Sequence, residues 1–387
     1  VSEWRDRGDW RRVVVAGVVV IGGVACGGAG CPERAAAVSR QPRIAAPSLF
    51  SMPERPTCSG AVGDAADLGV VDDEALVEVS GLAASLQTPG LVWLVADSDS
   101  VVFAVEAAGK SAGAIRARVR LPRPLVDPED LALGPCPDLS GPCVFVADTG
   151  DNERERADVA VVAFPEPQFT TTPEGGVAPA AVDIALDAVW TMRFVYPDNE
   201  AVDVEALAVL PDASALLLFE KTAEPEARIF VAPAPWTLQT PADGDDDNDR
   251  PVPLRGGGAV VIPTDADGDG DDDTKLRRIT AADVHWSGTR LLLRTTGGIF
   301  EYARPALDSG VDGSVSGAGR GGLVGGGFGD LRGVAPIRQV PSPADEAQGE
   351  AIGWTDDGLA WISISEVKKK KAAAGERPVL HRLDCRP

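Results

Sequence analysis

Val204-Glu205-Ala206-Leu207-Ala208-Val209 is a short apolar strand with a carboxylate at its start. The arrangement returns in Pro128-Glu129-Asp130-Leu131-Ala132-Leu133-Gly134, in Ala282-Asp283-Val284-His285-Trp286 and in Gly349-Glu350-Ala351-Ile352-Gly353-Trp354. A fifth copy, Ser80-Gly81-Leu82-Ala83-Ala84-Ser85, lacks the acid. On this reading Asp130, Glu205, Asp283 and Glu350 hold one structural position in successive units. A unit that recurs at long intervals marks a radial or stacked fold.

Strand-like runs separated by turns fill each interval. After Glu205 come 206–210, a Pro211-Asp212 turn, then runs at 215–219, 227–232 and 259–262. After Asp283 come 284–286, 290–293, 299–302 and 335–340. The unit from Asp130 has runs at 131–133, 143–147, 158–164 and 192–196, and the unit from Gly81 at 82–84, 91–95, 101–105 and 114–119. The last unit, from Glu350, has three: 351–354, 359–364 and 379–383. Its missing fourth strand is available in residues 66–79. An N-terminal strand completing a C-terminal sheet closes a ring without an exposed edge. The sequence therefore predicts an all-β, five-bladed β-propeller with four-stranded antiparallel blades. The alternative is a sixth blade, built around Ala181-Val-Asp-Ile-Ala-Leu186. A pair of β-sandwiches does not account for a carboxylate at a matched place in each group of four strands.

The chain has 387 residues and a formal net charge of −23. One large β domain uses that length. The acidity excludes nucleic acid, whose phosphates it repels, and suits cations, basic partners or a high-salt exterior. Plain solubility of an exported protein is the alternative.

Residues 1–31 read as an export signal: Arg11-Arg12, an apolar stretch over 13–24, then Ala25-Cys26. Twelve apolar residues are too few to span a bilayer as a helix. Gly23-Val24-Ala25-Cys26 is similar to a bacterial lipoprotein cleavage box, with glycine where a large aliphatic residue is usual. Acylation at Cys26 predicts a lipid anchor and a flexible tether over 32–65, with the folded domain at 66–387. Plain secretion is the alternative.

Four cysteines lie outside residues 1–31. Cys136 and Cys143 bracket a turn sequence and predict a local disulfide; Cys58 and Cys385 then pair by elimination, at the ring's seam.

In a propeller the residue before each inner strand stands at the mouth of the central channel, and the loop after the second strand opens on the same face. That gathers Ser80, Asp130, Glu205, Asp283 and Glu350. It also gathers Asp97, Asp148, Asp151, Asn152, Lys221, Arg294 and Glu366 from the second set of loops. So many carboxylates need a cation, basic partners or protons. Calcium, a hard cation taking oxygen ligands, is the expected cofactor, held by Asp130, Asp148, Asp151, Glu205, Asp283 and Glu350. For Asp148 and Asp151 the competing role is that of turn formers capping backbone N–H groups. A second calcium candidate is Asp265-Ala-Asp267-Gly-Asp269, whose twelfth position is Leu276 instead of glutamate. With only His285 and His381, histidine zinc sites are not expected. Glu205, Glu350 and Lys221 are the candidates for acid–base or anion chemistry, as paired carboxylates hydrolyse glycosides.

Several motifs together resemble a group of bacterial secreted or lipid-anchored β-propeller proteins without an assigned activity, loosely grouped with phytase-like and esterase-like propellers. They are Ala147-Asp-Thr-Gly-Asp-Asn152 with Arg156, Asp203-Val-Glu-Ala-Leu207, Thr280-Ala-Ala-Asp283, and Gly349-Glu-Ala-Ile352 with Ser363-Ile-Ser-Glu366. The resemblance spans roughly residues 76–385. It implies a propeller at the bacterial cell envelope and no particular reaction. The aspartate loop at 265–273, the glycine-rich insertion at 309–332 and Ser80-Gly81 in the first unit depart from it.

The expected function is an extracellular or envelope-anchored binding module, monomeric, with a small-molecule, cationic or protein ligand at the channel mouth. A calcium-dependent hydrolase of phosphoesters, esters or glycosides and a scaffold for envelope assembly are the alternatives. Any membrane contact is through the lipid anchor alone.

Overall fold

The computed structural model describes residues 55–385, apart from 98–99, 170–180, 188, 237–249, 264–275, 306–326, 345 and 347. Cys26 and the run Asp265, Asp267 and Asp269 lie outside the described residues.

Strand β1 (Ala66–Val70) comes first. Blade 1 then takes β2 (Val79–Ala84), β3 (Leu91–Ala96), β4 (Val101–Glu106) and β5 (Ile115–Arg120). Blade 2 takes β6 (Pro128–Pro135), β7 (Pro142–Asp148) and β8 (Val159–Pro165). The chain detours through β9 (Val182–Ala185) before completing that blade with β10 (Trp190–Val195). Blade 3 has β11 (Val204–Val209), β12 (Ala215–Glu220) and β13 (Glu226–Pro233), a detour through β14 (Val252–Pro253), then β15 (Arg255–Val261). Blade 4 has β16 (Ile279–Val284), β17 (Arg290–Thr295), β18 (Gly298–Ala303) and β19 (Arg338–Pro341). Blade 5 has β20 (Ala351–Trp354), β21 (Ala360–Ile364) and β22 (Val379–Asp384), and β1 pairs with β22 as its outer strand. The lysine run becomes a short surface helix, α1 (Lys369–Ala372).

The protein is a five-bladed β-propeller closed by its N-terminal strand. The apolar run at 181–186 builds no sixth blade. It forms β9, which adds to the outer strand of blade 1 in parallel, Ala117 opposite Val182. A strand of four residues with an exposed face has too little apolar surface to found a sheet of its own.

The inner strands β2, β6, β11, β16 and β20 are buried along their whole length. Each is enclosed by its own blade and by both neighbours, which is why they read as continuous apolar runs. The core is five sheet-on-sheet layers, one per interface. Phe145 and Leu216 represent the layer between blades 2 and 3, Leu217 and Leu291 that between 3 and 4, and Trp354 and Leu292 that between 4 and 5. Trp93 with Val144, and Leu82 with Ile362, represent the remaining two.

A second regularity runs around the rim. The link from third to outer strand in each blade leans on the outer strand of the blade before. β9 pairs with β5, and β14 with β10. In blade 4, Leu331 N–H donates to Ala259 O of β15 at 2.9 Å. In blade 1, the spot a side chain would take at Gly113, which has φ +90°, is 2.0 Å from Val70 O of β1. In blade 5 the link is cut by the chain ends. The segment before β1 still lies on blade 4, where Arg338 Nη2 of β19 donates to Gly60 O at 2.7 Å. The cut is resealed by the Cys58–Cys385 disulfide and by Gly63 N–H to Asp384 O at 2.9 Å. Residues 58–63, given to the tether on composition, are thus fastened to the ring. The second disulfide is Cys136–Cys143, at the β6–β7 turn. Both pairings agree with expectation.

Candidate functional site

At the start of β2, β6, β11 and β16 the pairing register slips by one residue. The slip falls between Val79 and Gly81, Pro128 and Asp130, Val204 and Ala206, and Ile279 and Ala281. Each slip is a bulge that re-aims the extra side chain. The extra residues are Ser80, Glu129, Glu205 and Thr280, and Glu350 stands at the matching place just before β20. This corrects the expected set. Asp130 and Asp283 do not share the position of Glu205 and Glu350; Glu129 and Thr280 do.

The five positions divide the labour. Ser80 Oγ donates to Pro128 O at 3.0 Å, and Thr280 Oγ1 to Gly349 O at 2.7 Å. Thr149 Oγ1, at the end of β7, donates to Val204 O at 2.8 Å. Each acceptor is the carbonyl just before a mouth glutamate. A hydroxyl of the preceding blade therefore fixes the backbone that carries Glu129, Glu205 and Glu350.

Those three carboxylates and Ser80 line a cavity of about 90 Å³ on the axis, with Lys221 and Gln348 beside them. Glu78, Asp97 and Glu366 complete its acidic wall. Lys221 follows β12, and its Nζ pairs with Glu205 Oε1. Gln348 Nε2 donates to Glu350 Oε1 at 2.7 Å. The cavity opens toward a larger one of about 630 Å³ over blade 3, and Asn152 and Lys221 belong to both.

Burial dominates the electrostatics. It pushes Glu205 up to about 8, against the opposing pull of Lys221 and with Glu350 adding to the rise. Glu350 is pushed up to about 7 by burial, which Lys221 and the Gln348 hydrogen bond partly offset. Glu129 is raised well above the carboxylate range by burial and by Glu205. Burial also opposes the charge on Lys221, yet Glu205, Glu350 and Glu129 together hold its pKa above the usual lysine value. One ammonium thus serves three carboxylates, and protons supply the rest of the neutralisation near pH 7.

Asp130 and Asp283 lie deeper and do different work. Asp130 is fully buried. It accepts from its own strand at Leu131 N–H (2.8 Å), and across the axis from Leu207 (2.9 Å) and Ala282 (3.2 Å). Leu207 and Ala282 hold equivalent places on blades 3 and 4, where the inner strand has no sheet partner on its axial edge. Asp283 accepts from Trp354 N–H of blade 5 at 2.7 Å. Burial pushes Asp283 up to about 7 and Asp130 well upward, against these hydrogen bonds. The two residues satisfy backbone donors that a dry channel would leave unpaired. Trp286, beyond them on blade 4, packs into the cluster joining blades 1 and 2. Trp354 is buried between blades 4 and 5.

Asp148 and Asp151 organise a loop and do not line the axial cavity. Asp148 accepts from Val126 and Asp127 N–H and pairs with Arg156 at 3.0 Å. Asp151 accepts from Glu155 and Arg156 N–H. Arg294 is buried against Glu346, beside Gly349, and stays outside the cavity. Among the described residues no three His, Cys, Asp or Glu side chains are gathered as a metal-binding set.

Of the expected mouth residues, the fold brings Ser80, Asp97, Asn152, Glu205, Lys221, Glu350 and Glu366 to one cavity. Glu129, Glu78 and Gln348 were missed. Aligning the repeats on their first large apolar residue (Leu82, Leu131, Leu207) puts Ser80, Glu129 and Glu205 in register. Aligning on the last acid before the apolar run selects Asp130 instead.

No protein-family model matches the sequence, and no curated protein matches it significantly. Among solved structures, the chain is similar to a candidate 6-phosphogluconolactonase from Bacteroides uniformis, at 14% identity and a TM-score of 0.30. It is similar to another from Bacteroides fragilis, at 14% and 0.29. The match covers 75% of this chain and 64% of each of those chains, so this chain spans less than two thirds of their length. It is also similar to the hydrazine synthase of Kuenenia stuttgartiensis, at 12% identity and a TM-score of 0.35, covering 75% of this chain and 93% of that one. The fold assignment rests on the strand order, not on these likenesses.

Proposed function

We propose that the protein is an exported binding module whose acidic mouth seats the cationic group of a ligand. One observation carries this reading: the chain's own ammonium, Lys221 Nζ, already lies among Glu205, Glu350 and Glu129. An organic ammonium or guanidinium can take the same seat with the same partners. Calcium asks for about six to eight oxygens around one ion. Glu129, Glu205 and Glu350 could supply part of that shell once Lys221 turns aside, so calcium remains a ligand to test. Two disulfides favour an oxidising compartment. No helix among the described residues is long and apolar enough to cross a membrane. The disulfides fit the proposed export with the lipid anchor at Cys26.

The test is the melting temperature of the full chain, titrated with agmatine, cadaverine or calcium. Binding to the folded state raises it as ligand exceeds its dissociation constant. The expected result is stabilisation by the organic cations that Glu205→Gln and Glu350→Gln abolish. No stabilisation by any of the three contradicts the proposal.

A second reading is favoured by Glu205 and Glu350 titrating at about 8 and about 7. Groups poised near neutral pH suit general acid–base hydrolysis of an ester, phosphoester or glycoside. Turnover in a substrate panel that disappears with Glu205→Gln and with Glu350→Gln would establish it. Turnover that survives both places any activity elsewhere.

A further inference from the structure

The cavity over blade 3 shares the acidity of the axial one but adds guanidinium groups. Three arginines, Arg154, Arg228 and Arg278, line it beside the acids Asp203, Glu220, Glu224 and Glu226. Arg228 is committed, with Nε bonded to Glu220 at 2.9 Å and Nη1 to Glu200 at 2.6 Å. Arg278 is exposed and has no ion-pair partner among the described residues. Arg154 has only Glu220 Oε1, at 3.8 Å, an oxygen that Arg228 Nη2 already holds at 2.9 Å. Two guanidinium groups whose donors are not saturated among the described residues thus stand beside an acidic mouth, in a chain of net charge −23. Guanidinium forks bind carboxylates in pairs of parallel hydrogen bonds.

Lys221 joins the two cavities. A ligand cation that takes its place against Glu205 leaves a largely buried ammonium without its anion, which is costly. A simple cation offers no remedy. A ligand that also carries an anion does, because the displaced ammonium lies at the edge of the arginine-lined cavity. Each end of such a ligand then favours the binding of the other.

Building on the cation-seat reading, we infer that the ligand is dipolar: its cation sits among the mouth glutamates and its carboxylate between Arg154 and Arg278. The chemical class is a small zwitterion such as a basic amino acid. Arginine and agmatine are the probes, since they share the guanidinium and only arginine has the carboxylate. Calorimetric titration of the full chain should show arginine binding at least about tenfold tighter, a gain of about 1.4 kcal/mol. The double variant Arg154→Ala/Arg278→Ala should bind the two equally. Both positions are exposed, so the variant keeps the core intact. Equal affinities for the natural chain overturn the dipolar ligand and leave the cation seat standing. An arginine advantage that persists in the double variant overturns the assignment to these two residues. Binding of neither probe contradicts the cation seat itself, and the dipolar ligand with it.

Discussion

At the mouth, three glutamates differ from ordinary surface acids because hydroxyls hold the carbonyls before them. Removing one such hydrogen bond costs roughly 0.5–1.5 kcal/mol. Thr149→Val keeps the shape and loses the bond to Val204 O. Urea unfolding should show a loss of that size, and agmatine affinity should fall with it, since Glu205 loses its anchor. Lys221→Met should act in the opposite direction on ligand affinity: the resident ammonium no longer competes, and calcium or agmatine should bind at least several-fold tighter by calorimetry. Titration gives a further expectation. Asp283, Glu350 and Glu205 have folded pKa values of about 7, about 7 and about 8, all above their ordinary values. The folded state therefore binds more protons than the unfolded state between about pH 4 and 8, and these groups make stability fall as pH rises through that window. Melting temperature should decline from pH 5 to 8, and Asp283→Asn should flatten the decline.

At the scale of elements, the strands were legible because their apolar runs and turn residues are local. Pro211-Asp212, Ser287-Gly288 and Asp357-Gly358 each mark the turn between a first and a second strand. The bulges were not legible. A bulge is defined by the partner strand, and Glu129 was hidden beside Asp130, a more conspicuous acid at the strand start. The hydroxyl pins join residues 48, 55 and 69 positions apart, so no local pattern announces them. The apolar run at 182–185 was visible, but its partner on blade 1 was not. The rim links carry their own prediction. Gly113 lies against Val70 O with φ +90°, so Gly113→Ala forces both a clash and a strained backbone. It should destabilise by roughly 1–3 kcal/mol in urea unfolding.

For the whole molecule, the ring has one covalent interruption and one bond across it. Cys58 and Cys385 are 327 residues apart, Cys136 and Cys143 only 7. In the chain-entropy picture stabilisation grows with the logarithm of the closed loop. The seam disulfide should be worth on the order of 4–6 kcal/mol and the turn staple about half as much. Cys58→Ser/Cys385→Ser should therefore lower stability more than Cys136→Ser/Cys143→Ser, measured by urea unfolding in the absence of reductant. Ring closure was legible because the last unit lacked a strand and the first residues of the domain offered one. The chemistry of the mouth was legible only in outline: the loop pattern put Lys221 beside the acids, while its pairing with Glu205 became visible only once the blades were assembled.

The cation seat is tested most directly by a crystal structure of the full chain soaked with agmatine. The account predicts a guanidinium density against Glu205 and Glu350, with Lys221 turned toward the blade 3 cavity. Lys221 still paired with Glu205, and agmatine bound elsewhere or not at all, would contradict it.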